Sequence, residues 1–85
     1  MKTFTYRIQD EQGIHARPAG MLVKEAAKYE SKIALSKDGK EADLKRILGV
    51  MGLGAKKGDE ITVTITGADE DTAYGVIKSF FENNL

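Results

Sequence analysis

Residues 60 to 66, EITVTIT, alternate without interruption between polar and apolar side chains, with Ile61, Val63 and Ile65 on one face. Such period-two alternation belongs to a strand with one buried and one wet face. The chain must therefore build a sheet that is covered on one side only. Residues 3 to 8, TFTYRI, repeat the pattern with Phe4, Tyr6 and Ile8. Residues 32 to 36 repeat it with Ile33 and Leu35, and Asp38-Gly39 then stands at a tight-turn position leading into Glu41 to Leu44. That dipeptide between two short strands predicts a hairpin.

The cover has to come from helices. From Ala16 to about Tyr29, Ala19, Leu22, Val23, Ala26 and Ala27 recur at helical spacing, and Gly67 and Asp69 precede a second stripe of Ala73, Val76, Ile77, Phe80 and Phe81. Both read as amphipathic helices, the second capped by Asp69. Residues 45 to 55, KRILGVMGLGA, are apolar nearly all round and carry three glycines. Any helix there is short and held by packing more than by propensity. The first helical crossover makes strands one and two parallel with a gap, which the last strand enters antiparallel to both. The expected fold is α+β: an open-faced two-layer sandwich, with a four-stranded antiparallel sheet and three helices on one face. The 85 residues without cysteine suit one domain over residues 1–85 with a single core and no disulfide.

Charge and hydropathy narrow the function classes. Thirteen basic and thirteen acidic residues cancel, yet residues 1 to 58 hold twelve of the basic ones and the last 27 residues hold six acidic against one basic. A basic body suits an acidic protein partner, and no strongly basic balance points to nucleic acid. A nucleic-acid-binding α+β domain would also want stacking aromatics on the open sheet face, whereas Phe4 and Tyr6 are expected to face the helices. No stretch has the length and hydropathy of a signal peptide or a membrane span, so a cytoplasmic location without membrane insertion is expected.

The only histidine and the only proline lie together in GIHARPAG, residues 13 to 20. His15 falls at or next to the start of the first helix, where backbone N–H groups lack intrahelical partners and attract anions. Pro18 within the first turn costs the helix little and stiffens its entry. Gly13 frees the turn before the helix, while Ala16, Ala19 and Gly20 keep bulk away from the ring. A neutral imidazole has a lone pair for nucleophilic attack, and Arg17 beside it can pair with phosphate oxygens. The residues alone leave open a capping or surface histidine without chemistry. One histidine without cysteine does not make a nitrogen and sulfur metal site, and no serine stands in a nucleophile-elbow context. No metal or cofactor is expected.

GIHARPAG, the GK turn at Gly39-Lys40 and LKRILGVMGLG together resemble the HPr family, histidine-containing phosphocarriers of the bacterial phosphoenolpyruvate-dependent sugar phosphotransferase system. The resemblance covers essentially the whole chain. It implies a carrier and not an enzyme: His15 would take a phosphoryl group on its δ1 nitrogen from phosphorylated enzyme I and give it to sugar-specific enzyme IIA domains. Ala16, Arg17 and Pro18 would form the phosphate-binding turn, with Arg17 as electrostatic helper. Gly20, Lys24, Ile47, Leu48 and Met51 would form the partner-docking surface of a monomer. Val50 and Leu53 are better suited to the core, with Phe4, Leu22 and Ala26. The apolar docking patch is expected to be rimmed by Arg17, Lys24, Lys45 and Arg46.

One position departs from the family. Where many members carry a serine that an ATP-dependent kinase modifies, this chain has Arg46, so the regulatory hydroxyl is absent. The same residue also reads as one more surface cation. A regulatory paralogue acting by protein binding alone is the alternative function, and such paralogues often lack the histidine present here.

Overall fold

The computed structural model describes residues 1–85. Its elements run β1 (Lys2–Arg7), α1 (Ala16–Ala26), β2 (Lys32–Lys37), β3 (Lys40–Asp43), α2 (Ile47–Gly52), β4 (Glu60–Thr66) and α3 (Glu70–Asn84). The four strands form one sheet in the order β1-β4-β2-β3, and each neighbouring pair is antiparallel. β4 thus fills the gap between the parallel strands β1 and β2, as the crossover requires. Asp38 and Gly39 both have positive φ, 50° and 82°. This is the backbone of the two-residue turn whose twist matches the flanking strands of a hairpin.

Register separates the two faces of the sheet. Phe4, Val63 and Leu35 stand in one row across β1, β4 and β2, and Thr5, Thr62 and Ser36 form the next. The first row is buried with Ile33, Ile61 and Ile65 under the helices, while Thr3, Thr5 and Thr66 are exposed on the open face. One core cluster of 19 residues results, and it includes Leu22, Ala26, Val50, Leu53, Ile77 and Phe81. Phe81 anchors α3 edge-on against Phe4, with ring centroids 5.9 Å apart, and in a tilted stack against Tyr6 at 5.7 Å. Burying such a side chain fully is worth about 1.5–3 kcal/mol.

Several boundaries differ from the sequence-based expectation. α1 ends at Ala26 and not near Tyr29, because Lys28 and Tyr29 donate to Glu25 and Ala26, three residues back. This 3₁₀-like tightening closes the helix and leaves Ala27 exposed. β1 and β3 each lie one residue earlier than expected. Ile8 and Leu44, just past their strands, are nevertheless buried, and Leu44 still donates to the Ile33 carbonyl at 2.8 Å. Asp69 does sit at the N-cap of α3, but its carboxylate makes no cap bond. It accepts instead from the Glu30 amide at 2.9 Å, the Ser31 amide at 3.0 Å and the Ser31 hydroxyl. These bonds, the hydroxyl's foremost, hold the Asp69 carboxyl below its ordinary range. They also tie the start of α3 to the entry of β2.

Candidate functional site: a histidine at a helix start

The segment between β1 and α1 is held at four points. Gln9 and Asp10 donate their amides to the Leu85 carbonyl at 2.6 and 2.8 Å, Gly13 closes a turn onto the Asp10 carbonyl at 2.9 Å, and Ile14 donates to Ala55 at 3.0 Å. Ile14 and Leu85 are both buried. The end of α3 and the loop after α2 therefore fix where His15 begins α1. Gly13 adopts φ +66°, and a Cβ there would overlap the Ala55 carbonyl oxygen and come within 2.7 Å of Lys56 Cα. Only glycine fits that crossing.

His15 is the N-cap of α1, with extended φ −108° and ψ 179°, and its ring makes no capping hydrogen bond. Its carbonyl accepts the first helical bond, from Ala19, at 2.9 Å. The Ala16 and Arg17 amides precede that bond and have no intrahelical acceptor. Pro18, in the same turn, has no N–H to leave unpaired and is buried. Ala16 and Arg17 are exposed. The imidazole is 36% exposed, and its Nε2 lies 3.8 Å from Asp10 Oδ1. His15, Arg17, Pro18, Asp10, Met21 and Asn84 line a shallow depression of about 250 Å³. Asp10, Met21 and Asn84 escaped the sequence reading. Asp10 lies in the loop after β1 with no local pattern tying it to position 15, and Asn84 reaches the site because α3 folds back across the molecule.

The short helix α2 divides its residues as expected. Val50 is fully buried and Leu53 nearly so, while Leu48 is 82% exposed and Ile47 and Met51 are each 39% exposed. Gly20 brings α1 close to α2, since a Cβ on it would lie 3.7 Å from Ile47 Cδ1. The cationic rim is smaller than expected. Lys45 turns inward and donates to the Tyr29 carbonyl at 2.7 Å, in the turn that follows α1. Lys24 opens on a groove between α1 and α3 that it shares with Met21 and Phe80. Arg46 is exposed as a surface cation, yet it is also the N-cap of α2, without a capping bond, and its guanidinium lies 3.8 Å from Asp43.

That placement of Arg46 carries a prediction. Arginine cannot accept from the first amides of α2, and a cation at a helix start opposes the helix dipole. Arg46→Ser should raise stability by about 1 kcal/mol. Urea unfolding should show it as a higher midpoint at unchanged slope, and an unchanged midpoint would mean that α2 gains nothing from a cap.

No group of three or more metal-ligating side chains comes together, and no helix is long and apolar enough to cross a membrane. The family model described as "PTS HPr component phosphorylation site" matches residues 2–83. Phosphocarrier protein HPr of Mycoplasma genitalium is 44% identical over 85 residues, which cover 99% of this chain and 97% of that protein. Among solved structures, a mycoplasma histidine-containing phosphocarrier protein superposes with a TM-score of 0.94 at 40% identity, covering 96% of this chain and 93% of that one. HPr from Thermoanaerobacter tengcongensis superposes at 0.93 with 36% identity, covering 98% and 93%. The chain belongs to the HPr family: it is a phosphocarrier of the phosphotransferase system, a protein that works with that system's enzymes and is not itself an enzyme.

Proposed function

We propose that His15 is the phosphoryl acceptor, taking the group on Nδ1 from phosphorylated enzyme I and passing it to sugar-specific enzyme IIA domains. The observation that carries this reading is the uncapped start of α1. The ring stands beside the Ala16 and Arg17 amides without using them itself. An incoming phosphoryl dianion meets those donors, the positive end of an eleven-residue helix and the Arg17 side chain together. Pro18 contributes rigidity in place of a donor. The exposed faces of Ile47, Leu48 and Met51, with Gly20 beneath and Arg17, Lys24 and Arg46 nearby, suit transient docking of partners with acidic rims. We read residues 1–85 as one such unit, acting as a cytoplasmic monomer.

The test is incubation with phosphoenolpyruvate, enzyme I and magnesium, followed by mapping of an acid-labile, base-stable phosphoryl group. Modification of any residue other than His15 would refute the assignment. Arg17→Ala should slow transfer about tenfold in both directions without abolishing it, because the backbone donors remain. Rapid-quench rates at low salt check this, and unchanged rates would remove Arg17 from the site. With no hydroxyl at position 46, this carrier also stands outside control by an ATP-dependent serine kinase acting there.

A further inference from the structure

Asp10 stands five residues before His15, and its backbone is fixed at both ends. Its amide donates to Leu85, and its carbonyl accepts from Gly13. Its carboxylate is fixed too, since Oδ1 accepts the Gln12 amide at 2.8 Å. The same Oδ1 lies 3.8 Å from Nε2 of His15, with the Asp10 side chain 32% exposed. This distance is beyond a direct hydrogen bond but within the range of charge interaction. Arg17, which is exposed, also lines the depression, so His15 shares it with one fixed anion and one exposed cation.

An ionised carboxylate only accepts hydrogen bonds. It attracts an Nε2–H and repels an Nε2 lone pair. Which nitrogen carries the proton decides which one is nucleophilic. We propose that Asp10 is a positioning residue that keeps the His15 proton on Nε2 and so directs the phosphoryl group to Nδ1. The proposal rests on the reading that His15 is the acceptor.

In the transfer step, the Nδ1 lone pair forms the N–P bond while the donor's bond to phosphorus breaks and leaves its electron pair on the donor. Nε2 keeps its proton, and the ring becomes cationic opposite the Asp10 carboxylate. Transfer to Nε2 would instead bring a phosphoryl dianion against that carboxylate. Asp10 therefore favours one product as well as one tautomer.

The single histidine makes the test clean, because every imidazole signal comes from residue 15. Long-range ¹H–¹⁵N correlation spectra of the labelled protein, in alkaline buffer where the ring is neutral, report which nitrogen is protonated. The parent should show the Nε2–H form. Asp10→Asn preserves an oxygen for the Gln12 amide, and Asp10→Ala provides a second variant without it. In both, the Nδ1–H fraction should rise about fivefold, and the initial rate of phosphorylation by enzyme I should fall in proportion to the Nε2–H fraction that remains.

A parent in the Nδ1–H form would overturn the proposal, as would an unchanged tautomer ratio in both variants. A slower rate without a tautomer change would also overturn it, by marking Asp10 as merely structural. A parent phosphorylated elsewhere than His15 would overturn the acceptor assignment and this proposal with it. Mapping the modified residue tells that failure apart from the others.

Discussion

Incubated with phosphoenolpyruvate, enzyme I and magnesium, His15→Ala should take up no acid-labile phosphoryl group, while its thermal midpoint stays within about 3 °C of the parent. Both halves follow from the helix start. No other imidazole exists in the chain to accept the group. The backbone donors of Ala16 and Arg17 survive the substitution but bind an anion without supplying a nucleophile. Stability is spared because the ring caps nothing and is over one-third exposed. Scanning calorimetry and phosphoryl mapping on the same sample check the two halves separately. Retained uptake would place the acceptor elsewhere, and a large drop in midpoint would give the ring a packing role absent from the structure.

The second large effect is expected at Gly13, two residues upstream. Gly13→Ala places a Cβ against the Ala55 carbonyl oxygen and Lys56 Cα, on a backbone at φ +66° that alanine adopts only with strain. Neither obstacle is a flexible side-chain tip, so the loop itself must move. We expect a loss of about 3 kcal/mol, combining overpacking with left-handed strain, and a thermal midpoint lower by roughly 15 °C. The displaced loop would also break the Ile14 to Ala55 bond that sets His15 at its helix start. Phosphoryl acceptance per folded molecule should therefore fall as well. A loss under about 1 kcal/mol would show that the loop after α2 yields easily.

The two positions differ in how well they could be read from sequence. His15 drew notice as the only histidine, beside the only proline, at a predicted helix start. Gly13 appeared only as a turn residue. The obstacle to a side chain there comes from residues 55 and 56, which no local pattern links to position 13. Asp10 is a similar case. Its carboxylate faces the ring because the Gln12 amide bond and the Leu85 carbonyl fix its loop, and both constraints arise from the folded chain.

Periodicity alone determined the sheet and its covering layer. The alternation of EITVTIT and TFTYRI, its looser form in KIALS and the helical stripes before and after them are local physical constraints, and each of these strands proved to bury its apolar row, with Tyr6 only half-buried. The short helix ILGVMG was equally legible, since six residues cannot hide every apolar face, and Leu48 and Met51 remain outside while Val50 is buried. Tertiary structure decided what long-range partners control. Asp69 has the chemistry of a cap, but the Ser31 hydroxyl and amide compete for its carboxylate and win, because several bonds to one ionised group outweigh a single capping bond. Lys45 has the chemistry of a docking cation but spends its charge on the Tyr29 carbonyl, 16 residues away in sequence and adjacent only after folding. A side chain's type is written locally, whereas the group it pairs with is chosen by whichever distant element the fold brings within hydrogen-bond reach.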